Sequence, residues 1–147
     1  MSTLRRILTQ FFAYETMSGN GACPVYLERW TMALLFGFGV YLHRFLGDDW
    51  ARAPHDHPRR FISIGLWGWY DEDTFHSDGS PKATRRYRAP WIRSFPADHL
   101  HRVRASEGRA WTLVIVCRKS RPWGFVQDGK WIPFREYVFR GKARKAC

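Results

Sequence analysis

A chain of 147 residues that is 45% hydrophobic and carries 8 Trp, 6 Tyr and 11 Phe is too rich in core-forming side chains to be disordered, and it fits one domain. Its 24 Lys and Arg against 13 Asp and Glu leave a net charge of +11, which favours anionic partners: nucleic acid, an acidic membrane surface or an anionic small molecule. Three widely spaced cysteines (Cys23, Cys117, Cys147) without a CxxC exclude a zinc ribbon and a thioredoxin-type site; they read as free thiols in a reducing cytoplasm, with Cys117 in the core.

In chain order, Leu4, Ile7, Leu8, Phe11 and Phe12 follow helical spacing, and "SGNG" (18–21) ends that helix. Residues 1–20 are thus expected to form a basic amphipathic helix packed on the domain, with a membrane surface as the alternative support. The apolar run 32–42, "MALLFGFGVYL", is too short to cross a bilayer, and no secretory signal is evident at the start. From 21 to 140 the texture is that of short strands and turns. "FGVYLHRFL" reads as one strand and "RRFISIGLWGWYDE" as a second, with Gly65 and Gly68 as bulges or bends. "HSDGSPKA" is a turn containing an exposed, inert His76, and "TRRYRAPWIRSF" is a strand interrupted at Pro90. "PADHLHRV" starts another strand, "SEGR" is a tight turn, and "AWTLVIVCR" is a buried strand. "WGFVQDGKWIPF" is a hairpin turning at Asp128-Gly129, and residues 141–147 form a basic tail. Many short strands predict an all-β sandwich or barrel.

Two histidine pairs stand out among the six histidines of the chain. In a strand, residues two apart share a face, so His55 and His57 of "APHDHPRRF" can present two imidazoles together. "DHLH" repeats the spacing at His99 and His101, and antiparallel strands could bring the two pairs side by side. Three neutral imidazoles around a divalent ion, with positions left open, make a reactive metal site.

"HDHPRRFISIGLWG" resembles the first motif of the cupin superfamily, HxH followed by Glu and then Gly: His55 and His57 match its histidines and Gly68 its glycine. "PADHLH" resembles the second, PxGxxH, with Pro96 and His101 in place. "YLHRFLGDDWARAPHDHP" and "WTLVIVCRKSRPWGF" are further similar to small bacterial and phage cupin-like proteins of unknown function. The resemblance spans residues 40–138. It implies a single-domain double-stranded β-helix (a jelly-roll barrel) with an N-terminal helix, and a homodimer. It also implies a divalent metal on His55, His57 and His101. Two positions depart from the motifs: Phe61 or Ile62 stands at the glutamate, and Asp98 at the second motif's glycine. A three-histidine site fits that departure, as in some cupin thiol dioxygenases; so does a substitute ligand, His43 first and His99 second, or loss of the metal. Asp56 is a candidate for orienting a ligand histidine, although alternation puts it on the opposite face.

Iron(II) is the favoured metal, and zinc, nickel and manganese suit the same ligands. The resulting expectation is a metal-dependent enzyme, dioxygenase-like, that oxidises a small polar or anionic molecule. Arg60, Arg93, Trp67, Tyr87 and Trp91 are its candidate substrate-binding residues. Alternation would put Arg85, Tyr87, Trp91, Arg93 and Phe95 on one face unless Pro90 marks a bulge. Tyr41, Tyr70 and Tyr87 are candidate bases. The alternatives are a cupin that binds or senses an anionic small molecule without catalysis, and a polyanion or nucleic-acid binder using "RRYRAPWIR" and the basic tail.

Overall fold

The computed structural model describes residues 3–18, 24–49, 53–105 and 109–139. The expected "SGNG" helix end apart from Ser18, the "SEGR" turn apart from its last residue, and the basic tail lie outside them. Helix α1 (Thr3–Phe11) leads directly into β1 (Ala13–Met17), which pairs with β2 (Leu27–Leu35). The helix is therefore shorter than its periodicity suggested: pairing to β2 claims the residues from Ala13 onward. Arg5 and Thr9, one turn apart, face the sheet, where Arg5 bonds Glu28 and Tyr14, and Thr9 accepts from Trp30 Nε1. Leu4, Ile7 and Phe11 stay exposed.

One sheet runs β1–β2–β3–β8–β4, where β3 is Phe38–Phe45, β8 Ala110–Val116 and β4 Phe61–Phe75. β6 (Trp91–Phe95) continues this sheet beyond the first half of β4. The second half of β4 belongs to the facing sheet, flanked by β5 (Pro81–Arg88) and β7 (His101–Arg104). The single backbone bridges of His55 join β7 to β9 (Gly124–Gln127), and β10 (Lys130–Pro133) closes that side. Two facing antiparallel sheets sharing one long strand make the jelly roll.

Alternation explains what each strand buries. β8 points Ala110, Thr112, Val114 and Val116 inward, with Trp111, Leu113 and Ile115 on the other face. In β4, Phe61, Ser63 and Gly65 are buried in turn until a bulge between Gly65 and Trp67 inserts a residue. Past it the inward parity changes, and Tyr70 and Glu72 face the interior. Gly68 carries the bend at φ +76°, with the Arg109 carbonyl packed where a Cβ would stand. Gly65 makes room for the Trp91 ring across the strand pair.

The Asp128-Gly129 hairpin forms as expected, both residues having positive φ. Two features depart from the sequence reading. The chain leaves the sheet after Val116, so Cys117 is exposed rather than in the core. A short helix α2 (Phe134–Phe139), which the strand pattern did not foresee, stacks Phe134 on Trp123 and Tyr137 on Phe125. Among the described residues no helix is long and apolar enough to cross a membrane.

Candidate metal centre

The two sheets enclose a cavity of about 590 Å³. His55, His57 and His101 line it, and each can offer a ring nitrogen within 4.8 Å of the others. The backbone brings this about. His55 and His101 exchange both of their N–H···O=C bonds, at 2.9 and 3.0 Å, as a closely hydrogen-bonded antiparallel pair, so their rings stand side by side at 4.9 Å. His57, two residues on, is tied by its N–H to the Ala97 carbonyl and sets its Nε2 2.8 Å from His101 Nε2.

Asp56 points the other way. It accepts from the Gly124 N–H and Trp131 Nε1 at 2.7 and 2.9 Å and pairs with Arg121. It thus fastens the histidine segment to the β9–β10 hairpin rather than orienting a ligand ring directly.

Behind His101 lies a residue that the sequence reading did not single out. Glu72, 1% exposed, accepts from His101 Nδ1 at 2.7 Å, from His99 Nε2 at 2.9 Å and from Arg93 Nη1 at 2.6 Å. Burial alone would raise its pKa, but the bonds from His101 and His99, with the nearby positive charge, hold it well below the usual carboxylate range. An ionised Glu72 can only accept, so His101 carries a hydrogen on Nδ1, which leaves Nε2 as the nitrogen turned to the cavity for a ligand role. Burial, reinforced by the neighbouring histidines, also keeps His55 and His57 neutral, well below the usual imidazole value. Asp49 lies 3.6 Å from His55 Nδ1 and is pushed by burial up to about 6, partly countered by the Val103 N–H it accepts.

These residues fit a divalent cation. The Nε2 atoms of His57 and His101 stand 2.8 Å apart, a separation that calls for a hydrogen or a cation between their lone pairs, and with His55 they would hold a divalent ion. Glu72, His99 and His101 form a second cluster of metal-ligating groups. There the Arg93 guanidinium already supplies the positive charge.

The other sequence candidates fall elsewhere. His43 lines the cavity, but its Nε2 accepts from Arg29 Nε at 3.0 Å and it stands outside the histidine cluster. His99 is engaged with Glu72. Tyr87, Trp91, Arg93 and Phe95 do share a face, Arg93 lying over the Tyr87 and Phe95 rings at 3.8 and 4.4 Å, but Arg93 is spent on Glu72. Arg60, Trp67, Tyr87, Trp91 and Arg93 do not line the main cavity; Arg60 borders a shallow hollow with Asp98 and Arg121, and Trp67 is 63% exposed. Among the described residues the cavity's own arginines are Arg29 and Arg59, and its tyrosines are Tyr26, Tyr41 and Tyr70.

No family model matches the sequence, and no curated protein matches it. Solved structures do share the fold. The iron(II) form of HppE superposes with a TM-score of 0.58 at 11% identity, over 74% of this chain and 57% of that one. An RmlC-like cupin from Shewanella frigidimarina gives 0.51 at 15%, over 73% and 85%. A cupin superfamily protein from Desulfitobacterium hafniense gives 0.50 at 15%, over 63% and 78%. This chain has a cupin fold. It spans little more than half the length of HppE, so the likeness there is to the barrel. In this chain the histidines of both sequence motifs meet at one cavity, while the carboxylate nearest them comes from Glu72, beyond the bulge, and not from the motif position.

Proposed function

We propose that this cupin is a metal-dependent enzyme in which His55, His57 and His101 hold a divalent ion, iron(II) favoured, and which oxidises a small polar or anionic molecule. The observation that carries the reading is the convergence of three imidazoles on one cavity, one of them backed by a buried carboxylate. Bound there, the ion would supply Lewis acidity and, as iron, access to dioxygen chemistry; zinc, nickel or manganese would suit the same nitrogens. The protein's part is to orient and to exclude water. Glu72 fixes the His101 tautomer. Phe61, Phe95, Trp123 and Phe125 form apolar walls around the histidines. Burial raises the Tyr70 phenol further, so it stays protonated and serves as a donor, not a base. Tyr41, on the inner face of β3, is the remaining cavity candidate for proton transfer among the three tyrosines named from the sequence.

The test is the metal content of protein purified without a histidine tag, with His57→Ala and His101→Ala alongside. Near-stoichiometric metal that both substitutions abolish is the expected result. A parent that takes up no metal after anaerobic reconstitution with iron(II) refutes the proposal.

A polyanion-binding role has one local feature in its favour: Arg86 and Arg88 lie over the Trp69 ring at 3.8 and 5.5 Å, on the exposed β5 edge. Steep weakening of oligonucleotide binding with added salt would mark it.

A further inference from the structure

The wall formed by the first sheet carries a polar row that the histidine cluster does not use. Register places Glu15, Arg29, His43, Thr112 and Gly65 opposite one another across five adjacent strands. The row begins in bonded pairs: Glu15 with Arg29 Nη1 at 3.1 Å, and Arg29 Nε with His43 Nε2 at 3.0 Å. It then stops. Thr112 is 1% exposed, lines the cavity, and its hydroxyl has no hydrogen-bond partner among the described residues. A buried hydroxyl left unpaired is costly, and such a group calls for an explanation.

The neighbours of Thr112 have spare donors as well. Because His43 Nε2 accepts from Arg29, the single hydrogen of its neutral ring sits on Nδ1, which has no hydrogen-bond acceptor among the described residues. Arg29 uses Nε and Nη1 and keeps Nη2 uncommitted. Its carboxylate partner Glu15 is more than half exposed, so water screens that pair and much of the guanidinium charge remains for a ligand. Arg29, His43 and Thr112 all border the cavity that holds the three histidines. A guanidinium N–H, an imidazole N–H and a hydroxyl on three neighbouring strands form a donor set with one natural complement, a group with several acceptor oxygens and negative charge.

We propose that Arg29, His43 and Thr112 form an oxyanion subsite that takes the carboxylate, phosphonate or phosphate head of a small substrate, whose reacting end is directed to His55, His57 and His101. The subsite gives His43 a binding role in place of a metal-ligating one. Assigning the reacting end rests on the metal reading above; the anion site itself does not.

Inorganic phosphate titrated into metal-free protein by calorimetry is the probe, with metal uptake measured separately on the same variants. Expected is saturable binding at one site per chain. Thr112→Val should weaken it about tenfold, Thr112→Ser should stay within about twofold of the parent, and Arg29→Gln should abolish it. Iron(II) uptake by Thr112→Val should match the parent. Thr112→Ala supplies the hydroxyl-free comparison if the valine variant fails to fold. Phosphate binding that is indifferent to the Thr112 hydroxyl, as adventitious capture on surface arginines would be, overturns the subsite, as does no saturable binding. Loss of metal uptake in the parent with Thr112-dependent phosphate binding intact would remove the metal reading and leave the subsite standing.

Discussion

Replacing Glu72 by Gln keeps the shape of the side chain and removes one charge and one acceptor. The carboxylate faces three donors, at 2.7, 2.9 and 2.6 Å. An amide can offer them a single oxygen. If that oxygen faces Arg93, the amide N–H turns to His101 Nδ1, which must then accept, and the ring's hydrogen moves to Nε2, the atom on which metal binding depends. If the oxygen faces His101, the amide N–H opposes a guanidinium. Both arrangements are costly in a site where the carboxylate is 1% exposed. Carboxylate partners of ligating histidines are worth 10–100-fold in metal affinity, or about 1.4–2.7 kcal/mol. Breaking a buried charged set costs about 3 kcal/mol of folding stability. Zinc competition against a colorimetric chelator measures the first, and urea unfolding of the metal-free protein the second. A folded Glu72→Gln protein that binds zinc as tightly as the parent would refute the tautomer argument.

Asp56→Ala should release the β9–β10 hairpin. Three bonds to a buried carboxylate are lost, so a stability loss of about 2–4 kcal/mol is expected, read by urea unfolding, with a shift in tryptophan fluorescence from Trp131. Acid should destabilise the metal-free protein in two stages. His43, His55 and His57 are all kept neutral by burial, so their folded pKa values lie below the unfolded ones; the unfolded chain gains these protons first, and stability falls as pH drops through about 6.5, against a smaller opposite contribution from the single Asp49, raised to about 6. For Asp73, burial acts upward but is outweighed by bonds from Arg104, Arg102 and Thr84, which bring it to about 2. Its contribution is present above pH 4 and is lost between about 4 and 2; solvent screening at half-exposed Arg104 limits it to about 1 kcal/mol. Urea midpoints that stay flat from pH 7 to 5 would contradict the first stage, and a Asp73→Asn variant with the parent's acid profile the second.

The meeting of His55, His57 and His101 was anticipated from strand alternation, although the structure holds the first two outside any strand, His55 by its paired backbone bonds to His101 and His57 by its bond to Ala97. Glu72 was not, for a physical reason. Unbroken alternation from Phe61 would turn Asp71 and Asp73 inward, and only the residue inserted between Gly65 and Trp67 brings Glu72 to the interior. The two glycines marked that bulge, but a bulge's effect on parity depends on which residue it inserts, and pairing with β8 decides that. The arginines failed differently. Arg93 is on the inward face as expected, yet its charge goes to Glu72, while Arg29 reaches the cavity from a strand where no motif drew attention to it. Cys117 read as core because the apolar run continues to it; the sheet simply ends one residue earlier.

The shared strand also governs how the chain can acquire its structure. β4 pairs with β5, β6, β7 and β8, and β8 in turn holds β3. Neither sheet is complete until β4 is placed, so neither can serve as an independently stable half from which the other grows. Because β8 arrives late in the sequence, the first sheet must wait for it across a long loop closure. Refolding on the millisecond-to-second scale of non-local β topologies is the expected tempo, with both sheets and the histidine cluster appearing in one cooperative step.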